Sequence, residues 1–185
     1  MRVTATPITG VFRLGLDPHV DERGFFARAY SVDELLSAGI DMPSPQINLS
    51  RNRLRGTLRG MHFQRPPFAE AKIVRCVRGS IFDVVADLRE DSPTFHRWHG
   101  FTLDADGGEA LYLPEGCAHG FITLEDDCDV LYQMSRPYVP GHAAGFRYDD
   151  PAFAISWPAA PIVIGASDLA WPPWPRGGGE PSPKF

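Results

Sequence analysis

The residues best suited to chemistry lie close together in the first half of the chain. Arg59, His62 and Lys72 fall within a stretch of fourteen residues. A histidine can act as a base near neutral pH, and two cations beside it favour an anionic ligand. The spacing therefore predicts an anion-binding site with a base beside it. Taken alone, it leaves open a buried structural histidine flanked by solvated surface charges.

The length and composition are those of one globular domain. The chain has 185 residues, of which 43% are hydrophobic and 22% charged, as in ordinary soluble proteins. A net charge of −5 argues against binding to nucleic acids or anionic membranes. Three cysteines without Cys-x-x-Cys spacing predict neither a zinc site nor a disulfide framework. No apolar signal-peptide core or membrane-spanning run is present, so we expect a cytoplasmic protein.

Many short strands joined by turns are predicted along the chain. Its 18 glycines and 18 prolines are spread throughout and separate apolar, often β-branched runs. A short helix is predicted over residues 32–38, with Ser31 and Glu34 as a capping box and Gly39 at its end. A second turn or helix is expected near 164–169, and 114–120 are predicted to form a tight turn. Strands are predicted within 8–16, 21–30, 45–50, 73–77, 80–88, 95–103, 109–113, 121–124 and 129–134.

About ten short strands with turns between them favour an all-β sandwich or barrel of the jelly-roll type. A few short helices would lie at its periphery. Residues 1–175 are expected to form the single domain, and 176–185 have the composition of a flexible tail.

The stretch around His62 is one of several motifs that follow each other in a fixed order. It reads Gly-Thr-Leu-Arg-Gly-Met-His-Phe-Gln at residues 56–64. The other motifs are 21–26, 46–48, 72–89, 114–121, 131–132 with 138, and 149–151. Together they resemble the dTDP-4-dehydrorhamnose 3,5-epimerases, cofactor-independent cupin-fold enzymes of deoxysugar biosynthesis. The resemblance implies a cupin jelly roll, no cofactor, no bound metal, and a nucleoside-diphosphate keto-deoxysugar as substrate.

The same resemblance assigns roles residue by residue. It implies that His62 is the general base, that Asp168 orients it and that Tyr132 is the general acid. Lys72 would stabilise the oxygen of an enolate. The resemblance also implies a homodimer in which residues 23–28 reach the partner's site. The implied substrate-binding residues are Arg23, Phe26, Arg28, Gln46, Asn48, Arg59, His119 and Tyr138, the last stacking on the nucleotide base.

Epimerisation of a 4-keto sugar explains why such residues would be needed. The hydrogens on carbons 3 and 5 lie alpha to the carbonyl, and removing one of them leaves an enolate. Returning a proton to the other face inverts the carbon, so the reaction needs a base, an acid and no redox cofactor. A carboxylate on the second histidine nitrogen fixes its tautomer, and a lysine ammonium stabilises the enolate oxygen.

Three positions depart from the usual pattern of the family. Arg28 and Ala143 stand where glutamates that contact substrate are usual, and Ser167 replaces a usual lysine or arginine. Since the catalytic set is intact while the binding residues differ, we expect an altered substrate or outcome. Inversion at carbon 3 alone or carbon 5 alone, a modified deoxysugar, or another nucleotide would each fit.

Two other functions remain open on the sequence. A metal-dependent cupin could use His62, Glu70 and His119 as ligands, although Gln64 stands where a second histidine is common and Lys72 would repel a cation. A binding module that kept the fold and lost the chemistry is the other alternative. Such a binding module would not require a general base and a general acid.

Overall fold

The computed structural model describes residues 1–174, which form two antiparallel sheets packed face to face. The expected tail at 176–185 lies outside the described residues. The strands are β1 (Arg2–Ala5), β2 (Phe12–Gly15), β3 (His19–Asp21), β4 (Gly24–Phe26), β5 (Gln46–Asn52), β6 (Thr57–Gln64), β7 (Lys72–Arg78), β8 (Ser80–Asp87), β9 (Trp98–Asp104), β10 (Ala110–Leu113), β11 (Cys117–Thr123), β12 (Cys128–Met134), β13 (Ala143–Gly145) and β14 (Val163–Ile164). The helices are α1 (Val32–Ser37) and α2 (Ala166–Leu169).

The two sheets have the strand order of an antiparallel sandwich. The first sheet runs β1-β2-β10-β7-β12-β5, and the second runs β13-β6-β11-β8-β9, with β14 parallel to one end of β6. Strands β3 and β4 pair only with each other within residues 1–174 and form a separate hairpin. The all-β jelly-roll prediction is confirmed.

Apolar side chains from both inner faces fill the space between the sheets. Because successive side chains of a strand point to opposite faces, every second residue of a strand faces this core. The core therefore takes alternate residues from six strands, including Val74, Ile81, Val85, Leu111, Phe121 and Val130.

The outer faces of both sheets are covered by the rest of the chain. Helix α1 packs Leu35 onto the first sheet. Its N-cap is Ser31, whose hydroxyl accepts the N–H of Glu34 at 3.4 Å, and Gly39 follows it with a φ of +78°. The segment from Phe146 to Trp174 covers the second sheet. Neither helix in residues 1–174 has the length and apolar character needed to cross a membrane.

At one end of the sandwich the inner faces change from apolar to polar. On β12, Val130 belongs to the core, whereas Tyr132 and Met134 reach a cleft; on β7, Val74 and Lys72 divide in the same way. Strand β5 presents Gln46, Asn48 and Ser50 to this cleft while its intervening residues face outward. The alternation of each strand thus places its polar residues around one opening.

Three local predictions were wrong. Residues 114–120 are not all turn: Gly116, with a φ of +82°, ends the turn, and β11 begins at Cys117. Glycine persists inside this central strand because a Cβ on Gly120 would lie 2.9 Å from the Arg59 carbonyl oxygen. Residues 27–30 have no partner strand, so the aromatic strand ends at Phe26. Residues 95–97 form a turn before β9.

Candidate active site

The polar end of the sandwich encloses a cleft of about 870 Å³, a size suited to a small-molecule ligand. Side chains from both sheets and from the α2 region line it. Nine of the residues proposed from the sequence meet there: Gln46, Asn48, Arg59, His62, Lys72, His119, Tyr132, Tyr138 and Asp168.

His62 and Asp168 form a hydrogen-bonded pair in the cleft wall. The His62 Nε2 lies 2.7 Å from Asp168 Oδ1, and the second carboxylate oxygen accepts the Gly60 N–H at 3.2 Å. The His62 side chain is 40% exposed, whereas that of Asp168 is 9% exposed. The carboxylate is therefore buried behind an accessible imidazole. If Nε2 donates to Asp168, the lone pair of Nδ1 is left to accept a proton.

The surroundings of Asp168 keep it ionised. Burial raises the pKa of its carboxyl group, but the hydrogen bond and charge of His62, the Gly60 N–H and the charge of Arg59 outweigh burial and lower this pKa below the ordinary 3.8. An ionised Asp168 fixes the orientation of the imidazole and stabilises it when it gains a proton.

Tyr132 lines the same cleft from the opposite sheet. It lies on β12, in register with Asn48 on β5 and Val74 on β7, whereas His62 lies on β6 in register with His119 on β11. Burial raises the pKa of the Tyr132 hydroxyl, and the charge of Arg59 opposes this only in part. The phenol is therefore protonated at neutral pH and can donate a proton.

Two buried pairs of side chains lie at the inner part of the cleft, where Glu70, Lys72 and His119 line it and Asp83 lies behind His119. The Lys72 Nζ lies 2.9 Å from Glu70 Oε1, and the His119 Nε2 lies 2.7 Å from Asp83 Oδ2. Complete burial raises the pKa of Asp83, and the nearby His119 and Lys72 counteract this in part. Both histidines in the cleft thus have a carboxylate at Nε2.

Arg59 supplies a positive charge to the cleft without touching a carboxylate of residues 1–174. Its Nε donates to the Asn52 amide oxygen at 2.8 Å, and among residues 1–174 it forms no ion pair. Gln46 accepts the Tyr138 N–H at 2.9 Å and donates to Asn48 at 3.1 Å. The Tyr138 side chain is half exposed at the opening. This arrangement suits an anionic ligand with a flat group at the opening.

Comparison with known proteins identifies the family. The model of a family described as dTDP-4-dehydrorhamnose 3,5-epimerase matches residues 5–175. The chain belongs to this family. A dTDP-4-dehydrorhamnose 3,5-epimerase from Sinorhizobium fredii is 41% identical over 82% of this chain and 78% of its own length. A dTDP-4-dehydrorhamnose 3-epimerase from Streptomyces niveus is 40% identical over 91% of this chain and 81% of its own.

A solved structure extends the match to three dimensions. The dTDP-4-dehydrorhamnose 3,5-epimerase from Bacillus anthracis, crystallised with TDP and PPi bound, superimposes with a TM-score of 0.90 at 36% identity. The match covers 94% of this chain and 99% of that one. The resemblance inferred from the sequence motifs, the cupin-like jelly roll and the isomerase class are thereby confirmed.

Three residues that the family pattern assigns to substrate lie outside the cleft. Arg23 and Phe26 belong to the β3–β4 hairpin, where Arg23 pairs with Asp21 at 2.5 Å. Arg28 follows the hairpin and pairs with Glu34 of α1 at 2.5 Å. Within one chain these residues do not contribute to the site. Arg28, which replaces a usual glutamate, contacts α1 and not the cleft.

The other two departures from the epimerase pattern do line the cleft. Ala143 lies on β13 opposite Gln64, and Ser167 precedes Asp168 in α2. Both are small and uncharged, so the cleft has neither the carboxylate nor the cation that is usual there. The wall near His62 is consequently less polar than the family pattern implies.

The sequence interpretation missed Trp171 in the cleft and Asp83 behind His119, and it considered a third residue, Glu70, only as a metal ligand. Trp171 and His62 are in edge-to-face contact, with ring centroids 6.1 Å apart, and no local pattern singles out Trp171. Asp83 lies in β8, and the apolar residues around it gave no local sign that its carboxylate faces inward. Glu70, the third, lies two residues before Lys72, which begins β7, and both side chains line the cleft.

The three residues considered as metal ligands have other partners. His62 pairs with Asp168, His119 with Asp83 and Glu70 with Lys72. In the described part of the chain, no group of three histidine, cysteine or acidic side chains is arranged to hold a metal ion.

The lowered pKa of Asp168 predicts a pH-dependent contribution to stability. A carboxyl group with a lowered pKa in the folded state stabilises the fold above its unfolded pKa, near 3.8, and loses this contribution as the pH falls through the folded value. We expect Asp168→Asn to be less stable than the wild type at pH 7 and the difference to shrink below about pH 4. Urea unfolding of both proteins at several pH values measures this, and an unchanged difference would contradict it.

Proposed function

We propose that this chain is a cofactor-independent epimerase of a nucleoside-diphosphate 4-keto-6-deoxy sugar, with dTDP-4-keto-6-deoxyglucose or a close relative as substrate. The observation that supports this best is that an accessible His62 on one sheet, hydrogen-bonded to Asp168 of α2, shares the cleft with a protonated Tyr132 on the other sheet. A base and an acid on different walls of one cleft are what inversion of a carbon requires.

The proposed reaction uses each of these groups once. His62 removes the hydrogen on carbon 5 or carbon 3 as a proton, and the electrons of the C–H bond move into the carbonyl to form an enolate. The Lys72 ammonium stabilises the charge on the enolate oxygen, and Asp168 stabilises the imidazolium. Tyr132 then gives its proton to the other face of the same carbon, and solvent restores the two groups.

The charge distribution of the cleft supports a diphosphate next to the sugar. A guanidinium matches phosphate oxygens with its forked donors, and Arg59 is free of carboxylate partners among residues 1–174. Tyr138 would stack on the nucleotide base at the opening, and Gln46, Asn48 and His119 would contact the substrate. Phosphate-bearing ligands in a related structure, TDP and PPi, are consistent with this proposal.

Inversion at a single carbon is the second candidate, and it rests on two observations. A relative that is 40% identical is a 3-epimerase, and Ala143 and Ser167 change the polarity of the cleft wall. The product formed from dTDP-4-keto-6-deoxyglucose separates the candidates. Ring-proton couplings in the NMR spectrum report inversion at carbon 3, at carbon 5 or at both, and an unchanged sugar would refute both candidates.

We also propose that the working form is a homodimer. The β3–β4 hairpin exposes Val20, Phe25 and Phe26, and edge strand β5 exposes Ile47 and Leu49. Apolar side chains grouped in this way favour an interface, and an exchanged hairpin would bring Arg23, Phe26 and Arg28 to the partner's cleft.

The three cysteines are free and buried, which supports the reducing cytoplasm expected from the sequence.

The dimer predicts a specific effect of a hairpin variant. We expect light scattering to give twice the mass of one chain for the wild type. Phe26→Asp should shift the protein towards the monomer, because it buries a charge in the interface. Glu90→Gln, an exposed change in a loop, should have no effect. A wild type that is monomeric at micromolar concentration would contradict the proposal.

A further inference from the structure

Glu70 and Lys72 form a buried ion pair in the cleft. Lys72 is the first residue of β7 and Glu70 lies two residues before it. The Glu70 side chain is 2% exposed and that of Lys72 10%, and both line the cleft. The exposed ion pair Arg23–Asp21, in contrast, lies on the surface. Removing two charges from water is costly, and a buried pair seldom returns that cost as stability. The position of the Glu70–Lys72 pair in the cleft therefore requires an explanation other than stability.

The bonding of Glu70 is incomplete. One carboxylate oxygen contacts Lys72, while Oε2 is buried and has no hydrogen-bond partner among residues 1–174. Buried polar atoms in native proteins are almost always paired, and an exception requires an explanation, of which a catalytic role is one. An arrangement that served stability alone would use both oxygens. The contact with the ammonium is thus the one interaction that accounts for the carboxylate.

A second carboxylate competes for the same ammonium. Lys72 acts electrostatically on Asp83, which is completely buried and pairs with His119. The direct contact at 2.9 Å is to Glu70. Glu70 is therefore the acid that holds the ammonium by direct contact. Because Coulombic stabilisation in a buried site falls quickly as the charge moves away, the position of the ammonium decides how well it serves a developing negative charge.

We propose that Glu70 is a positioning residue for the reaction, which holds the Lys72 ammonium in place and directed at the carbonyl oxygen of the sugar. The inference rests on the proposed epimerase function. Glu70 does not touch the reacting atoms and acts through Lys72. An amide at this position keeps the shape and one hydrogen-bond acceptor but removes the charge, leaving Lys72 as a buried cation without a direct counter-ion.

The test compares five variants with the wild type on dTDP-4-keto-6-deoxyglucose. They are Glu70→Gln, Glu70→Asp, Lys72→Met, the double variant Glu70→Gln/Lys72→Met, and Asp87→Asn as the control. Asp87 is a buried carboxylate paired with Arg89 at 2.7 Å outside the cleft, so the control reports the effect of disrupting a buried ion pair elsewhere. Initial rates give kcat and KM, calorimetry gives the affinity for dTDP, and circular dichroism gives the folded fraction.

We expect Glu70→Gln to lower kcat per folded enzyme by about tenfold or more, with the affinity for dTDP within about twofold of the wild type. In the Lys72→Met background, adding Glu70→Gln should cause no further loss, since residues that act as a unit are not additive. Asp87→Asn should lower the melting temperature and leave kcat per folded enzyme unchanged. Glu70→Asp, which keeps the charge, should lose less activity than Glu70→Gln, and this comparison applies even if Glu70→Gln folds poorly.

Two results would overturn this inference alone. The first is that the wild type is active and Glu70→Gln, like Asp87→Asn, keeps its kcat per folded enzyme. The second is that Glu70→Gln lowers kcat by the same factor in the wild type and in the Lys72→Met background. A wild type that leaves the sugar unchanged would overturn the proposed function and, with it, this inference.

Discussion

Replacing His62 by asparagine is expected to lower kcat by about 10³- to 10⁴-fold, the upper part of the range for a general base. Asparagine is similar in size and can still donate a hydrogen bond to Asp168, but it has no basic nitrogen to take a proton. The affinity for dTDP should remain within about twofold, because the charge of Arg59 and the opening at Tyr138 are untouched. Initial rates and calorimetry on the purified variant measure the two effects.

The matched control is His99→Asn. His99 lies on β9, packs on Phe101 with ring centroids 4.7 Å apart and does not line the cleft. We expect its kcat to stay within about twofold of the wild type, since it removes a histidine of no catalytic role. If His62→Asn retained more than a tenth of the wild-type kcat, His62 would not be the base.

Replacing Tyr132 by phenylalanine is expected to separate proton removal from inversion. The variant loses the hydroxyl that returns a proton to the opposite face, so kcat for inversion should fall by about 10²- to 10³-fold. His62 can still remove a proton and return a deuteron from the same side. In deuterated water the ratio of isotope exchange to inversion, followed by proton NMR, should therefore rise well above that of the wild type.

Tyr112→Phe is the control for this change. Tyr112 is a tyrosine of β10 that stacks on Phe12 with ring centroids 6.2 Å apart, outside the cleft. Its ratio of exchange to inversion should equal that of the wild type. If exchange and inversion fell together in Tyr132→Phe, another group would be the acid.

The local pattern of the sequence predicted most strands because their alternation and β-branched runs reflect burial. It failed at 114–120, where Gly116 and Gly120 were interpreted as turn residues. Only Gly116 ends a turn, whereas Gly120 stands inside β11 because the neighbouring strand approaches its Cα too closely for a side chain. That distinction depends on which strand lies alongside, and local sequence does not contain it.

The residues of the site also fall into those that the local sequence indicated and those that it did not. His62 and Lys72 stood out by residue type and spacing, whereas Tyr132 and Asp168 were proposed from motif resemblance. Asp168 is 106 residues from His62, so only the fold brings the pair together. Strand alternation did not indicate the Glu70–Lys72 pair, because both residues precede the strand predicted at 73–77 and Glu70 lies outside β7. Nor could Trp171 have been foreseen, because its contact with His62 depends on the path of the chain after α2.

The central claim is that this chain removes a carbon-bound proton next to the ketone of a nucleotide sugar. Incubating the wild-type protein with dTDP-4-keto-6-deoxyglucose in deuterated water, and following carbons 3 and 5 by proton NMR, tests it most directly. The account predicts that the signal of at least one of these protons disappears as the product forms, with His62→Ala leaving both signals intact. Full retention of both protons in the presence of active, folded wild-type protein would contradict it.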